Sequence, residues 1–290
     1  MTIAVLDAPT NLGLRPPAPG AVPGCYKAPG ALRDLDLLNR LGARDAGHLV
    51  APRYDRGSWQ PGDGDFHAPQ IASYARALAD RLRGIPEFAL VLGGDCSLLL
   101  GPALFAATDP RRVGLVYLDG SADLRHPGNS AHVGAAGGEA LALVTGRGQA
   151  DLTTGAPLFA DEDVVVLGIR DYDEEIPDLE AAGIAFRHTP AIRAAGAAAS
   201  AEWTRSTLSA VDAYWVHLDV DVLDPTVLDA VDAPDPGGLF ADELVELVRP
   251  LVSAPECLGM DLTIFDPDLD PDGRQARLVA DLVVRLLESR

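Results

Sequence analysis

The residues best suited to chemistry in this 290-residue chain are acids at the ends of apolar runs. Asp219 and Asp221 alternate at the end of one such run, with His217 two positions earlier. In a β-strand, residues i and i+2 lie on the same face, so these three side chains are expected to converge. Clustered carboxylates cannot all stay ionised without a compensating positive charge. The pattern therefore predicts a site for a hard metal cation.

Two further apolar runs end in residues of the same kind. One is followed by Asp119 and Asp123, and the other by Asp95 and Cys96. A single acid after a strand is unremarkable, because strand ends border solvent-exposed loops. Acids and a thiol at three separate strand ends form a much more specific constellation, and they indicate one shared site.

Strand-like apolar runs alternate with segments of helical periodicity along most of the chain. Predicted strands cover residues 3–6, 89–92, 113–118, 164–169, 214–220 and 258–265, and predicted helices cover 69–83, 98–107, 191–208, 241–251 and 274–288. This alternation predicts an α/β fold with a mainly parallel sheet covered on both faces, and no break in composition marks a second domain. We predict one domain over residues 1–290, with ligands bound beyond the carboxyl ends of the strands.

The composition disfavours several classes of partner. Forty-three acidic residues against 23 basic ones give a formal charge of −20, which repels nucleic acids and anionic membranes. No apolar run is long enough to span a bilayer, and the N-terminus lacks the basic segment of a signal peptide. Three scattered cysteines do not form a disulfide framework and fit a reducing compartment. We therefore expect a cytoplasmic protein.

Three motifs carry a resemblance to a known family. They are Gly93-Gly94-Asp95-Cys96-Ser97, Asp119-Gly120-Ser121-Ala122-Asp123 and Asp219-Val220-Asp221-Val222-Leu223-Asp224-Pro225. The set resembles the signatures of the ureohydrolases, which include arginase, agmatinase and formiminoglutamase, and the similarity runs from Asn11 to the C-terminus. The resemblance implies a three-layer α/β/α fold of the arginase type and a small-molecule substrate. It also implies a binuclear manganese centre whose bridging hydroxide attacks a guanidinium or related carbon.

The resemblance further assigns the metal ligands. Those of one ion would be Cys96, Asp119, Asp123 and Asp219, and those of the other would be Asp119, Ser121, Asp219 and Asp221. Cys96 and Ser121 stand where the family usually has histidine, so each ion loses an imidazole. A thiolate is a competent ligand that suits zinc or iron better than manganese, whereas a neutral hydroxyl is a weak ligand. We expect an altered centre with a weak or empty second site, in which Asp123 accepts a hydrogen bond from the attacking hydroxide.

Three histidines are close enough in sequence to replace a lost imidazole. His126 and His132 follow Asp123, and His217 precedes Asp219. The plainer interpretation is a surface position for the two loop histidines and a hydrogen bond beneath the site for His217. The sequence leaves the choice among these interpretations open.

One more departure concerns the substrate. The family usually has a glutamate that clamps the guanidinium group, and the aligned residue here is Ile264. Replacing that carboxylate removes a charge-assisted pair. Ordinary arginine or agmatine chemistry is therefore in question, and a modified guanidine, amidine or amide becomes the expected substrate.

Three hypotheses follow from the sequence. The first is a metal-dependent hydrolase of a C–N bond with an altered metal centre. The second is a catalytically inactive homologue that binds or scaffolds, since both imidazoles and the clamp are lost together. A third is a phosphatase-like or zinc deacetylase-like metal hydrolase built on a similar sheet. Ureohydrolases are commonly trimers or hexamers but some relatives are monomers, so a homo-oligomer is an open expectation.

Overall fold

One eight-stranded parallel sheet organises the chain. The computed structural model describes residues 2–131, 133–153 and 155–288. The strands are β1 (Ile3–Ala8), β2 (Arg44–His48), β3 (Phe88–Gly93), β4 (Val113–Leu118), β5 (Val164–Leu167), β6 (Ala185–Arg187), β7 (Ala213–Asp219) and β8 (Cys257–Thr263). Their order in the sheet is β2-β1-β3-β8-β7-β4-β5-β6, and every pair is parallel.

Ten α-helices accompany the strands in the described part of the chain. They are α1 (Ala28–Arg33), α2 (Leu37–Leu41), α3 (Ala68–Arg83), α4 (Leu100–Ala106), α5 (Ala140–Val144), α6 (Ile176–Ala182), α7 (Thr189–Ala195), α8 (Ala197–Thr207), α9 (Ala241–Val252) and α10 (Arg274–Leu287). None of these helices combines the length and the apolar character needed to cross a membrane.

The sheet separates two hydrophobic cores. Alternate residues of a strand point to opposite faces, so Leu90 and Leu92 of β3 enter one core while Ala89 and Val91 enter the other. Helices α1, α2, α8, α9 and α10 supply apolar side chains to the first core, and α3, α4 and α6 supply the second. The result is a three-layer α/β/α arrangement, as the sequence predicts. The single-domain interpretation stays a prediction.

The structure differs from the sequence-based prediction at the edges of the sheet and in one long helix, among other places. The edge strands β2 and β6 were not predicted, because neither contains a fully buried residue and apolar periodicity is therefore weak there. The predicted helix over 191–208 is two helices, which are broken at Gly196. The φ angle of Gly196 is +90°, a conformation that glycine adopts without steric cost.

The four central strands bring the sequence motifs together. The chain runs from β3 to β4 across a gap in the sheet that β8 and β7 later fill. Such a reversal of strand order opens a crevice at the carboxyl ends of the strands, where ligands bind in open α/β sheets. The motifs after β3, β4 and β7 all end at this crevice, and β8 lies between the first and the third of them.

Candidate metal centre

Two of the acids at the crevice shape the turns that follow their strands. Asp119 Oδ1 accepts a hydrogen bond from the Ser121 backbone amide at 2.8 Å, and Asp219 Oδ1 accepts one from the Asp221 amide at 2.8 Å. Such bonds to the amide two residues on are typical of aspartate in turns. Each turn leaves the second carboxylate oxygen of its aspartate available for another partner.

The convergence of Asp219 and Asp221 has a different cause from the predicted one. Strand β7 ends at Asp219, and Val220–Val222 forms a short 3₁₀ turn. Asp221 therefore reaches the site through the turn rather than through strand alternation. Its Oδ1 accepts a hydrogen bond from the Gly120 amide at 2.9 Å, which ties the motif after β7 to the motif after β4.

The residues predicted as metal ligands all line one cavity of about 560 Å³; they are Cys96, Asp119, Ser121, Asp123, Asp219 and Asp221. Their potential donor atoms fall into two groups that share Asp119. The thiol cluster consists of Cys96, Asp119 and His217, and the carboxylate cluster consists of Asp119, Asp219 and Asp221. Within each cluster the donor atoms lie within 4.8 Å of one another.

Burial and mutual repulsion dominate the electrostatics of these acids. Loss of hydration, followed by repulsion from Asp123, raises the pKa of Asp119 well above its ordinary value. Loss of hydration and repulsion from Asp221 do the same to the pKa of Asp219. Burial also raises the pKa of Asp123, to about 6. An array of this kind is stabilised by bound positive charge.

Cys96 is a buried residue of the cavity lining. Its Sγ donates a hydrogen bond to Asp219 Oδ2 at 2.7 Å and lies 3.2 Å from Thr263 Oγ1 at the end of β8. Burial and the neighbouring carboxylates raise the pKa of this thiol well above its ordinary value. A metal ion at this position would reverse that preference, because a coordinated thiol is deprotonated.

Ser121 and Tyr117 hold the carboxylate of Asp123. Ser121 Oγ donates to Asp123 Oδ1 at 2.8 Å, and the Tyr117 hydroxyl donates to Asp123 Oδ2 at 2.7 Å. The φ angle of Asp123 is +47°, in the left-handed region that few residues other than glycine occupy. Strained backbone of this kind is concentrated at functional sites. In this geometry Ser121 acts as a hydrogen-bond donor to the acid that follows it.

His217 and Asp261 form a buried pair, of which only His217 is recognisable from the sequence. His217 Nδ1 lies 2.5 Å from Asp261 Oδ2, and both side chains are fully buried. Asp261 Oδ1 also accepts a hydrogen bond from Trp215 Nε1 at 2.5 Å. Gly259 makes room for the Trp215 ring, since a Cβ at that position would lie 2.5 Å from the ring. Asp261 belongs to an apolar strand and follows no motif, so only the pairing of β7 with β8 reveals it.

The other histidines considered above behave differently. The Nδ1 atom of His126 accepts a hydrogen bond from the Gly128 amide at 3.0 Å, within its own loop, and His126 is not among the residues that line the cavity. His132 lies outside the described residues.

The lining of the cavity also contains Ile264, which the family resemblance aligns with the clamping glutamate. Ile264 is buried and has a φ angle of +75°, which is a genuine outlier for a β-branched residue. Asp232, Asp266 and Asp268 also line the cavity. Asp266 accepts a hydrogen bond from the Gly24 amide at 2.8 Å, and Asp268 forms an ion pair with Lys27 at 2.6 Å.

Comparisons with known proteins identify the family of this chain. A model of the family described as the Arginase family matches residues 3–288. The arginase of Bacillus subtilis is 28% identical over 301 aligned residues, which cover 99% of this chain and 97% of the relative. The formimidoylglutamase of Aeromonas salmonicida is 28% identical, with 86% and 77% covered. The crystal structure of the Bacillus cereus arginase superimposes with a TM-score of 0.86 at 26% identity, over 100% of this chain and 99% of that one. The chain therefore belongs to the arginase family, the ureohydrolases.

Proposed function

We propose that this protein is a metal-dependent hydrolase that cleaves a C–N bond of a small guanidino or amidino compound. Family membership supports the reaction class, since the relatives include an arginase and a formimidoylglutamase. The observation that carries the proposal is the convergence of four acids and one thiol in a single cavity, with Asp119 shared between the thiol and carboxylate clusters.

The donor set fits divalent cations. Asp119 Oδ2 is buried and has no hydrogen-bond partner among the described residues, so the shared acid keeps one oxygen free at the point where the two clusters meet. Carboxylate oxygens suit manganese, and a thiolate with carboxylates suits zinc or iron. Bound divalent ions would supply Lewis acidity and lower the pKa of water.

The chain's own side chains then orient the reaction. Asp123 accepts a proton or a hydrogen bond from the attacking water, since its carboxylate lines the same cavity as the other acids. Tyr117 and Ser121 fix its two oxygens from opposite sides. Because the Tyr117 hydroxyl is fully buried, this orientation does not depend on a mobile solvent-exposed group.

The cavity also bears on the substrate class. Ile264 presents an apolar wall where relatives place the clamping carboxylate, so that position offers no ionic partner to a guanidinium group. Asp232 faces the cavity and forms no ion pair with any described Lys or Arg, unlike Asp268. We infer that Asp232 binds the positive end of a cationic substrate, whereas Ile264 packs against its uncharged part.

The test is turnover by reconstituted protein. The purified protein is stripped with a chelator, reloaded separately with Mn²⁺, Zn²⁺, Fe²⁺, Co²⁺ or Ni²⁺, and assayed with a panel of guanidino, amidino and formimidoyl compounds for release of urea, ammonia or formamide. We expect turnover with at least one metal, and its loss in the variant Asp123→Asn. The variant Asp109→Asn, at a partly buried acid that is paired with Arg111 and does not line the cavity, is the matched control.

The inactive alternative predicts a different result. Tight binding of metal without turnover on the whole panel would favour a binding or scaffold protein over an enzyme. Activity on acyl-lysine with zinc alone would favour the deacetylase-like hypothesis. Neither metal binding nor turnover under any condition would overturn the metal centre itself.

A further inference from the structure

A buried imidazole nitrogen faces the centre without a partner. His217 lies on β7, two residues before Asp219, and is fully buried. Its Nε2 atom has no hydrogen-bond partner among the described residues. Leaving a buried polar atom unsatisfied is energetically unfavourable, so its persistence calls for a ligand or a bound ion.

The hydrogen bond of Nδ1 determines whether Nε2 carries a proton or a lone pair. An ionised carboxylate can only accept hydrogen bonds, so His217 Nδ1 is the donor in its 2.5 Å contact with Asp261. In the neutral ring, Nε2 then presents its lone pair. A second proton on Nε2 would need an acceptor, and no acceptor within the described residues lies at hydrogen-bond distance.

Packing fixes the plane of the imidazole ring. Tyr117 stacks on His217 with ring centroids 4.6 Å apart and an interplanar angle of 24°. Trp215 holds the Asp261 carboxylate from its other oxygen. Histidine ligands of metals almost always donate the second ring N–H to a carboxylate, carbonyl or water, which fixes the tautomer and the ring orientation. The Asp261–His217 pair has this arrangement.

The imidazole of His217 lies where it can replace the one that the family resemblance places at Cys96. One donor atom of each residue in the thiol cluster, Cys96, Asp119 and His217, lies within 4.8 Å of the others. Sulfur, nitrogen and oxygen donors together form a set that favours zinc or iron over manganese. Three protein ligands also leave a coordination position open, as in catalytic zinc sites.

We propose that His217, through Nε2, is a metal ligand that acts together with Cys96 and Asp119, and that Asp261 positions it. The inference deepens the proposed function, because it concerns the same centre, but it makes a separate claim about the ligands. The imidazole comes from the strand beside the motif rather than from the motif itself. Coordination by Cys96 requires its thiol to lose a proton, so metal uptake releases that proton to solvent.

X-ray absorption at the zinc edge tests the ligand set directly. Wild-type protein loaded with one equivalent of Zn²⁺ should show sulfur scattering together with the outer-shell scattering of an imidazole. In H217Q the imidazole signal should disappear, and zinc affinity measured by competition with a chelator should fall about a hundredfold or more. D261N should retain the imidazole signal but bind zinc about 10–100-fold more weakly. H126Q and H132Q are the controls, and each should match the wild type.

The outcomes separate this inference from the proposed function. A wild-type spectrum without imidazole, an unchanged H217Q, or loss of the imidazole signal in H132Q would overturn the role of His217. If H217Q does not fold, as judged by near-ultraviolet circular dichroism, the double variant H126Q/H132Q decides, because persistence of its imidazole signal supports His217 and loss overturns it. An imidazole signal without any turnover would leave the ligand in place and count against the enzyme.

Discussion

The thiol cluster and the carboxylate cluster share Asp119 but differ in everything else. The thiol cluster offers sulfur, an unpartnered imidazole nitrogen and oxygen. The carboxylate cluster offers only carboxylate oxygens, and the nearby Ser121 hydroxyl is hydrogen-bonded to Asp123. The family resemblance implies a lost motif histidine beside each cluster, but only the thiol cluster contains another histidine.

We infer from this difference that another residue of the fold can supply a ligand that a motif has lost. Strand β7 carries a histidine two positions from Asp219, on the face that borders the thiol cluster, and β8 supplies the carboxylate that orients it. Nothing equivalent faces Ser121 among the described residues. We therefore expect the thiol cluster to bind a metal ion more tightly than the carboxylate cluster.

The largest effect is expected where the clusters meet. Asp119→Asn removes the one carboxylate that both share, so it should abolish binding of both ions and lower kcat/KM at least about a thousandfold, or about 4 kcal/mol of transition-state free energy. Elemental analysis and steady-state kinetics measure the two effects. Asp268→Asn, at an exposed acid of the cavity lining that belongs to neither cluster, is the matched control. If Asp119→Asn kept its metal content, the two clusters would not form one centre.

A gain of function should follow from Ser121→His. An imidazole at this position returns a strong ligand to the carboxylate cluster, so affinity for a second ion should rise about 10–100-fold. Isothermal titration with Mn²⁺ or Zn²⁺ should then resolve two binding events. Ser121→Ala is the matched variant, because it also removes the hydrogen bond to Asp123 but adds no ligand. Equal second-site affinity in the two variants would mean that the inequality has another cause.

Substrate recognition should depend on the acid at the cavity wall. Asp232→Asn should raise KM for a cationic substrate about tenfold, equivalent to about 1.4 kcal/mol, because a charge-assisted hydrogen bond is lost. The KM for an uncharged amide or amidine analogue should change little. Asp235→Asn, at a nearby exposed acid, provides the control. A tenfold rise for charged and uncharged compounds alike would assign Asp232 a structural role instead.

The smallest effect, per pH unit, concerns the stability contributed by Asp65, a buried acid outside the two clusters. Both carboxylate oxygens of Asp65 lack hydrogen-bond partners among the described residues. Burial, together with repulsion from Glu139 and Asp151, raises its pKa to about 8. Between about pH 4 and pH 8 the folded state therefore holds a proton that the unfolded state releases, and stability falls as the pH rises.

Asp65→Asn should remove this dependence. Urea unfolding of metal-loaded protein should show the variant gaining on the wild type by about 1 kcal/mol for each pH unit between pH 5 and pH 7. Asp63→Asn, at an exposed acid two residues earlier, should follow the wild type. A constant difference between Asp65→Asn and the wild type across this range would contradict the raised pKa.

Much of the fold could be predicted from sequence because the central strands are buried on both faces. Residues 89–92 and 113–118 are almost continuously apolar, and they form strands over nearly the predicted ranges. The edge strands could not be predicted, since Arg44–His48 and Ala185–Arg187 are only partly buried and carry polar side chains. The apolar pattern of a strand is therefore informative where both faces are buried, and it is uninformative in the edge strands of the sheet.

The candidate site also contains residues that could be predicted from the sequence and residues that could not. The acids after β4 and β7 and the thiol after β3 are recognisable because they stand in motifs, and their arrival at one cavity follows from parallel strands ending at one edge. The contribution of β8 could not be read from the chain. Asp261 and Thr263 lie in an apolar run, and their contacts with His217 and Cys96 exist only because β8 lies between β3 and β7.

By itself, the sequence determined the layered α/β architecture, the family and the set of acids and thiol that meet at the crevice, because periodicity and motif spacing are local properties of the chain. Tertiary structure alone decided which nitrogen of His217 is left unpartnered and which carboxylate holds the other. Those features arise between strands that are neighbours in the sheet but more than 40 residues apart in the chain, such as His217 and Asp261.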